Sequence, residues 1–349
     1  NQDDELSYRL LEHGGRIVCN PAIRSVYRNR ATLGGNLGTG SGRLNLALGA
    51  SGNFDVVNLG ATLSITAIVS GAFRLTKTGA GKLVLSGINT YSGGTTITGG
   101  TLVVTSPSNL GATPGSADTS NIIIDGGTLE FTADIVSPVL SANRGIRFGN
   151  NGGTIMVDAG KSVVIGGSMR DITSTTGSLI KTGDGTLTLN GPSSSYTGGT
   201  TVNAGTLILG SAVALGATTG GLTVNAGSLD LNGRSFTVGA FSGSGGSIPN
   251  NVVGSVTLTA GDSSNTSFSG TFQDGTGNIA LTKQNGGTLT LTGASTHTGG
   301  TTVSGGVLLV KNTTGSATGT GNVLVQNGAA LGGNGTVGPH AQPLRDGQL

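Results

Sequence analysis

A thirty-residue segment that returns twice constrains this chain more than any other feature. Residues 75–104 read LTKTGAGKLVLSGINTYSGGTTITGGTLVV, residues 179–209 read LIKTGDGTLTLNGPSSSYTGGTTVNAGTLIL, and residues 281–310 read LTKQNGGTLTLTGASTHTGGTTVSGGVLLV. The copies start 104 and 102 residues apart. Recurrence at a nearly fixed interval is the signature of a repeat architecture, in which each unit buries its apolar side only against its neighbours.

Each copy carries short runs that alternate in polarity. In the first they are Lys82-Leu83-Val84-Leu85-Ser86, Thr95-Thr96-Ile97-Thr98 and Thr101-Leu102-Val103-Val104, punctuated by Gly79, Gly81, Gly87, Asn89, Gly93, Gly94, Gly99 and Gly100. Successive side chains of a strand point to opposite faces, so Leu83 and Leu85 share one face while Lys82, Val84 and Ser86 take the other. Strands this short need neighbours stacked above and below them.

The units resemble the autotransporter-associated β-strand repeat of secreted bacterial passenger regions. In the first copy the resemblance rests on Leu75-Thr76-Lys77-Thr78-Gly79, Leu83, Leu85, Gly87, Asn89, Tyr91, Gly93-Gly94-Thr95-Thr96 and Gly100-Thr101-Leu102. The second keeps Lys181, Gly183, Leu187, Leu189, Tyr196, Gly198, Gly199 and Gly205-Thr206-Leu207. The third keeps Lys283, Leu289, Leu291, Gly299 and Gly300, with Gln284-Asn285 in place of the Thr-Gly pair and His297 where the others have Tyr. The resemblance implies an extended β-repeat at a bacterial surface, with an export signal and a C-terminal translocator β-barrel outside this sequence. It is specific for architecture and nearly silent about activity.

Composition agrees with that architecture. With 67 glycines and 3% aromatic residues in 349, the chain is poorly supplied for a conventional core. Collagen is excluded because the glycines follow no Gly-X-Y period, and alternating apolar runs with a 10% charged fraction argue against disorder. A net charge of +2, without a run of Lys and Arg, gives nucleic acid no electrostatic footprint. The single cysteine, Cys19, rules out an intrachain disulfide framework and any multi-cysteine metal site.

Residues 1–35 have a different texture, with nine charges against 25 in the remaining 314 residues. Leu6, Leu10 and Leu11 fall at helical spacing before Gly14-Gly15, and strands are expected over Arg16 to Cys19 and Ile23 to Tyr27. This segment resembles part of a family 2 (GT-A) glycosyltransferase, Asp3 matching the catalytic-base position and Gln2 replacing the preceding Glu. No nucleotide-binding βαβ unit or metal-binding Asp-x-Asp accompanies it, so it is expected to be a non-functional fragment joined to the repeats.

From Leu37 the repeat texture continues through degenerate segments such as residues 121–131 (NIIIDGGTLEF) and 221–231 (GLTVNAGSLDL). The expected fold is all-β, a right-handed parallel β-solenoid over residues 36–338. Coils of roughly 20 to 25 residues, each adding about 4.8 Å, would give about 13 coils and a rod of roughly 60 Å. Gly338-Pro339 ends the pattern, and residues 339–349 are expected to form a disordered tail.

Several residues invite a chemical reading. His13, His297 and His340 have no partners at ligand spacing, and no Gly-x-Ser-x-Gly elbow accompanies the serines, so no metal, cofactor or catalytic residue is assigned. Asp125, Asp158, Asp184, Asp230, Asp262 and Asp274 fall at different phases of the repeat, as turn caps would. Lys77, Lys181 and Lys283 share one phase, as do Tyr91, Tyr196 and His297; they are expected to pack turns, or alternatively to form a row of sites for anionic glycans if all point one way. The function expected is a non-enzymatic surface stalk that meets host or matrix glycans and proteins, or associates with itself through strand edges. The alternatives are a carbohydrate-active β-helix enzyme and a chimeric chain without a single evolved function.

Overall fold

The computed structural model describes residues 52–338, together with short strands at Leu11–His13, Arg16–Val18, Arg30–Leu33, Asn45–Ala47 and Ala341–Pro343. The chain winds a β-solenoid of about 12 turns, close to the expected 13. One well-formed turn shows the plan. Arg144–Phe148 lies on a first face, Gly153–Val157 on a second and Ser162–Ile165 on a third, before Met169–Asp171 opens the next turn on the first face. Strands on each face pair in parallel with the turns above and below.

Turn length varies because the corners absorb insertions. Leu75 pairs Thr95, and Thr95 pairs Ile122, so one turn takes 20 residues and the next 27. The longer turn holds a single 3-10 turn, Pro107–Leu110, capped by the Ser106 side chain.

Stacked aliphatic side chains fill the interior. Leu83, Leu102, Leu129 and Ile155 stand in register on successive turns, as do Leu187, Leu207 and Leu229, and all are fully buried. Each such side chain contributes about 1.5–3 kcal/mol by leaving water. The expected alternation at Lys82, Val84 and Ser86, outside, and Leu83 and Leu85, inside, is the observed one.

Variable turn lengths rotate the repeats relative to one another. The first and third copies open on the first face, at Leu75–Thr78 and Asn278–Lys283, whereas the second opens at Leu179–Thr182 on the second face, paired with Gly153–Val157. Within every copy the two halves stack on each other, Leu75–Thr78 on Thr95–Ile97 and Lys82–Leu85 on Thr101–Val104 in the first.

Two expectations at the ends need correction. Leu11, placed in a helix by the spacing of Leu6, Leu10 and Leu11, belongs to a strand, Leu11–His13, antiparallel to Arg16–Val18. Arg16–Val18 and Arg30–Leu33 continue the ladders of Gly52–Asp55 and Thr62–Ile65, because an open solenoid end presents unpaired N–H and C=O groups that recruit any extended segment. For the same reason Ala341–Pro343, assigned to a disordered tail, pairs with Val323–Val325. Gln2, Asp3, Cys19, residues 23–27 and His340 lie outside the described residues.

Candidate functional site

The three repeat lysines face inward, and the alternation explains why. In Leu75-Thr76-Lys77-Thr78 the lysine shares parity with the buried Leu75, so its stem enters the core and its ammonium must be satisfied there. Lys77 Nζ donates to the carbonyls of Thr78 (2.7 Å), Gly79 (2.8 Å) and Gly99 (3.1 Å). Lys181 donates to Thr182 (2.8 Å), Gly183 (2.7 Å) and Ala204 (3.1 Å), and Lys283 to Gln284 (2.7 Å), Asn285 (3.0 Å) and Gly305 (3.1 Å). Each ammonium thus uses its three protons to tie a corner of its own turn to the turn above. Burial pulls Lys77 and Lys181 down to about 8, opposed by Asp55 and Asp184, and Lys283 shifts the same way against Asp262. A row of lysines offered to glycans does not form, because the ammoniums are enclosed and Lys181 lies on a different face from Lys77 and Lys283.

Glycine makes these cages possible. Gly100, Gly205 and Gly306 adopt φ of 58°, 64° and 64°. A Cβ on Gly205 would lie 2.4 Å from the carbonyl oxygens of both Gly183 and Gly185. At the corner where Gly79 and Gly183 take positive φ, the third copy uses Asn285 at φ 61°, the residue that tolerates this region next best.

Tyr91, Tyr196 and His297 are also wholly buried. The tyrosine hydroxyls meet Thr95 Oγ1 at 2.8 Å and Thr200 Oγ1 at 2.6 Å, and His297 Nε2 lies 3.3 Å from Thr301 Oγ1. A phenylalanine packs against each ring: Phe73 on Tyr91, Phe148 on Tyr196 and Phe272 on His297, with centroids 5.8, 5.5 and 5.6 Å apart. Burial raises the Tyr91 hydroxyl to about 12, raises Tyr196 as well, and lowers His297 to about 4. None of these rings is available to stack on a sugar.

The carboxylates cap corners. Asp125 Oδ1 accepts from Asn151, Asp230 from Asn232 and Asn251, Asp262 from Ser264, and Asp274 from Ile279 and Thr298. Asp171, which the sequence did not single out, accepts from Gly177 and Thr197 in the same manner. Among the described residues, no three His, Cys, Asp or Glu side chains gather as a metal site.

A parallel ladder with carbonyl-caged lysines and aromatic corners defines a β-solenoid repeat protein in which the recurring residues work from the inside. Comparison with known sequences agrees with that class. Residues 75–104, 179–209 and 281–310 match the passenger-associated-transport-repeat profile. Over 177 residues, 51% of this chain, the sequence is 37% identical to the Adhesin BmaC autotransporter of Brucella suis biovar 1 (strain 1330). The chain spans about 5% of the length of that relative. The chain therefore carries an autotransporter passenger β-repeat region. No solved structure matches it.

Proposed function

We propose that this region is a non-enzymatic, surface-displayed stalk of an autotransporter-type adhesin, holding outward side chains along a stiff axis for contact with host or matrix glycans and proteins. The observation that carries this reading is the division of labour in the repeats. Their recurring aliphatic, lysine and ring residues are spent on the interior, while outward strand positions are mostly Thr, with some that differ between copies, such as Lys82, Thr186 and Thr288 or Ser86, Asn190 and Thr292. Similarity to an adhesin supports the same reading. Turns that stack within each repeat also suit a chain that folds progressively from one end as it emerges across a membrane. Strand edges at the ends offer a route to self-association, and no observation favours the carbohydrate-active enzyme. Displaying residues 36–338 on cells through a fused translocator barrel tests the proposal. Retention of those cells on matrix-coated surfaces, above cells displaying the barrel alone, supports it; equal retention refutes it.

A further inference from the structure

The chain has no run of basic residues, yet the winding builds a basic patch on the first face. Arg147 and Arg170 are 23 residues apart in sequence and direct partners in the parallel ladder, at Cα spacing of about 4.8 Å. Both point outward, half-buried, from strands whose alternate residues Ile146, Phe148 and Met169 fill the core. Like charges directly opposite one another oppose pairing. Among the described residues neither guanidinium forms an ion pair. Arg147 donates to Thr119 Oγ1 (3.1 Å) and weakly to the Asp171 carbonyl (3.5 Å), and Arg170 to Ser193 Oγ (3.0 Å). Among the described residues, the Nε–H of each is buried without an acceptor, which leaves the terminal nitrogens as the groups that can meet a ligand. Arg74 extends the patch, its guanidinium reaching the Ser120 carbonyl (2.9 Å) beside the Thr119 that holds Arg147. Two acids stand at its margins: Asp118, which accepts from Ser120 and offsets part of the Arg74 charge, and Asp171, which accepts from Gly177 and Thr197, so the uncompensated charge is concentrated at Arg147 and Arg170.

We propose that Arg147 and Arg170, extended by Arg74, form a binding site for the carboxylate or sulfate groups of an acidic oligosaccharide laid along the rod. Paired guanidiniums bind planar or tetrahedral oxyanions through two parallel N–H donors, and a shared anion removes the repulsion between them. A glycan suits the patch better than nucleic acid because the repeat rings Tyr91, Tyr196 and His297 are buried and unavailable for base stacking, and the charge is confined to one narrow strip. The site refines the adhesive reading by naming a ligand class for it.

The test measures binding of the full chain to a sulfated oligosaccharide, a polyuronate fragment, neutral dextran and single-stranded DNA. The comparison set is Arg147→Gln/Arg170→Gln, the charge-retaining Arg147→Lys/Arg170→Lys, and Arg234→Gln as a distant control, with folding followed by circular dichroism. The expected result is salt-sensitive binding to one or both acidic glycans. It should weaken at least tenfold in the glutamine variant, fall by a smaller factor in the lysine variant and be unchanged in Arg234→Gln. The two acidic probes distinguish sulfate from carboxylate recognition. Equal affinity for dextran, equally arginine-dependent binding of DNA, or wild-type affinity in folded glutamine or lysine variants overturns the proposal. If displayed cells adhere to matrix and the glutamine variant adheres as well, this site falls and the adhesive reading stands. If wild-type cells do not adhere at all, the adhesive reading falls whatever the arginines bind.

Discussion

His297 gives the third repeat an acid sensitivity that the other two lack. Its ring is enclosed, and burial lowers its pKa from 6.5 to about 4 against the pull of Asp274 and of the Gly300 and Phe272 backbone. An unfolded histidine takes up a proton near pH 6.5 and the folded one near pH 4. Between those values the unfolded chain holds more protons, so stability falls as pH falls. The loss reaches about 2 kcal/mol at pH 5 and about 3 kcal/mol below pH 4. His297→Tyr removes it and restores the residue of the other copies, whose hydroxyls reach Thr95 and Thr200. Room for the larger ring exists, since Gly319 sits over His297 as Gly111 and Gly216 sit over Tyr91 and Tyr196. Urea unfolding at pH 7 and pH 5, followed by far-ultraviolet circular dichroism with amide exchange at residues 281–303, measures the difference. The variant should be within about 1 kcal/mol of wild type at pH 7 and gain about 2 kcal/mol over it at pH 5. Carboxylates titrate in both proteins and cancel. Equal losses of stability between pH 7 and pH 5 would refute the reasoning.

Other substitutions probe the corners and the core. Lys181→Met conserves volume but strands the Thr182, Gly183 and Ala204 carbonyls, so chemical unfolding should show a loss of about 3 kcal/mol despite the added apolarity. Gly205→Ala should cost more than Gly160→Ala in the same assay; both have positive φ, but Gly160 faces open space whereas Gly205 meets two carbonyl oxygens. Leu187→Ala should destabilise by about 2–5 kcal/mol, with exchange protection lost first in the two adjoining turns, at Val163 and Leu207.

How much of this was legible in the sequence follows from what sets each feature. The solenoid was readable because Leu83, Leu85, Leu187 and Leu189 alternate with polar residues between glycine corners, and only stacked turns can bury such strands. The inward lysines were within reach of the same rule, since Lys77 shares parity with Leu75. The expectation that charge seeks water hid them, and the carbonyl cage that overrides it comes from two turns at once. The face on which each repeat lands was not readable. It depends on turns of 20 and 27 residues whose extra length sits in corners without periodicity. The Arg147–Arg170 pairing was hidden for the same reason, because residues 23 apart become neighbours only once that turn length is fixed.

The central claim is that successive turns stack in parallel and in register on all three faces. Cysteine pairs in a Cys19→Ser background test it directly, at Thr76/Thr96 on the first face, Thr290/Leu309 on the second and Thr188/Ile208 on the third. Cα spacings of about 4.8 Å fall within disulfide reach, so all three pairs should close rapidly under mild oxidation, whereas Val164/Ile208, two turns apart, should not. Failure of the in-register pairs, or equal closure of Val164/Ile208, would contradict the solenoid.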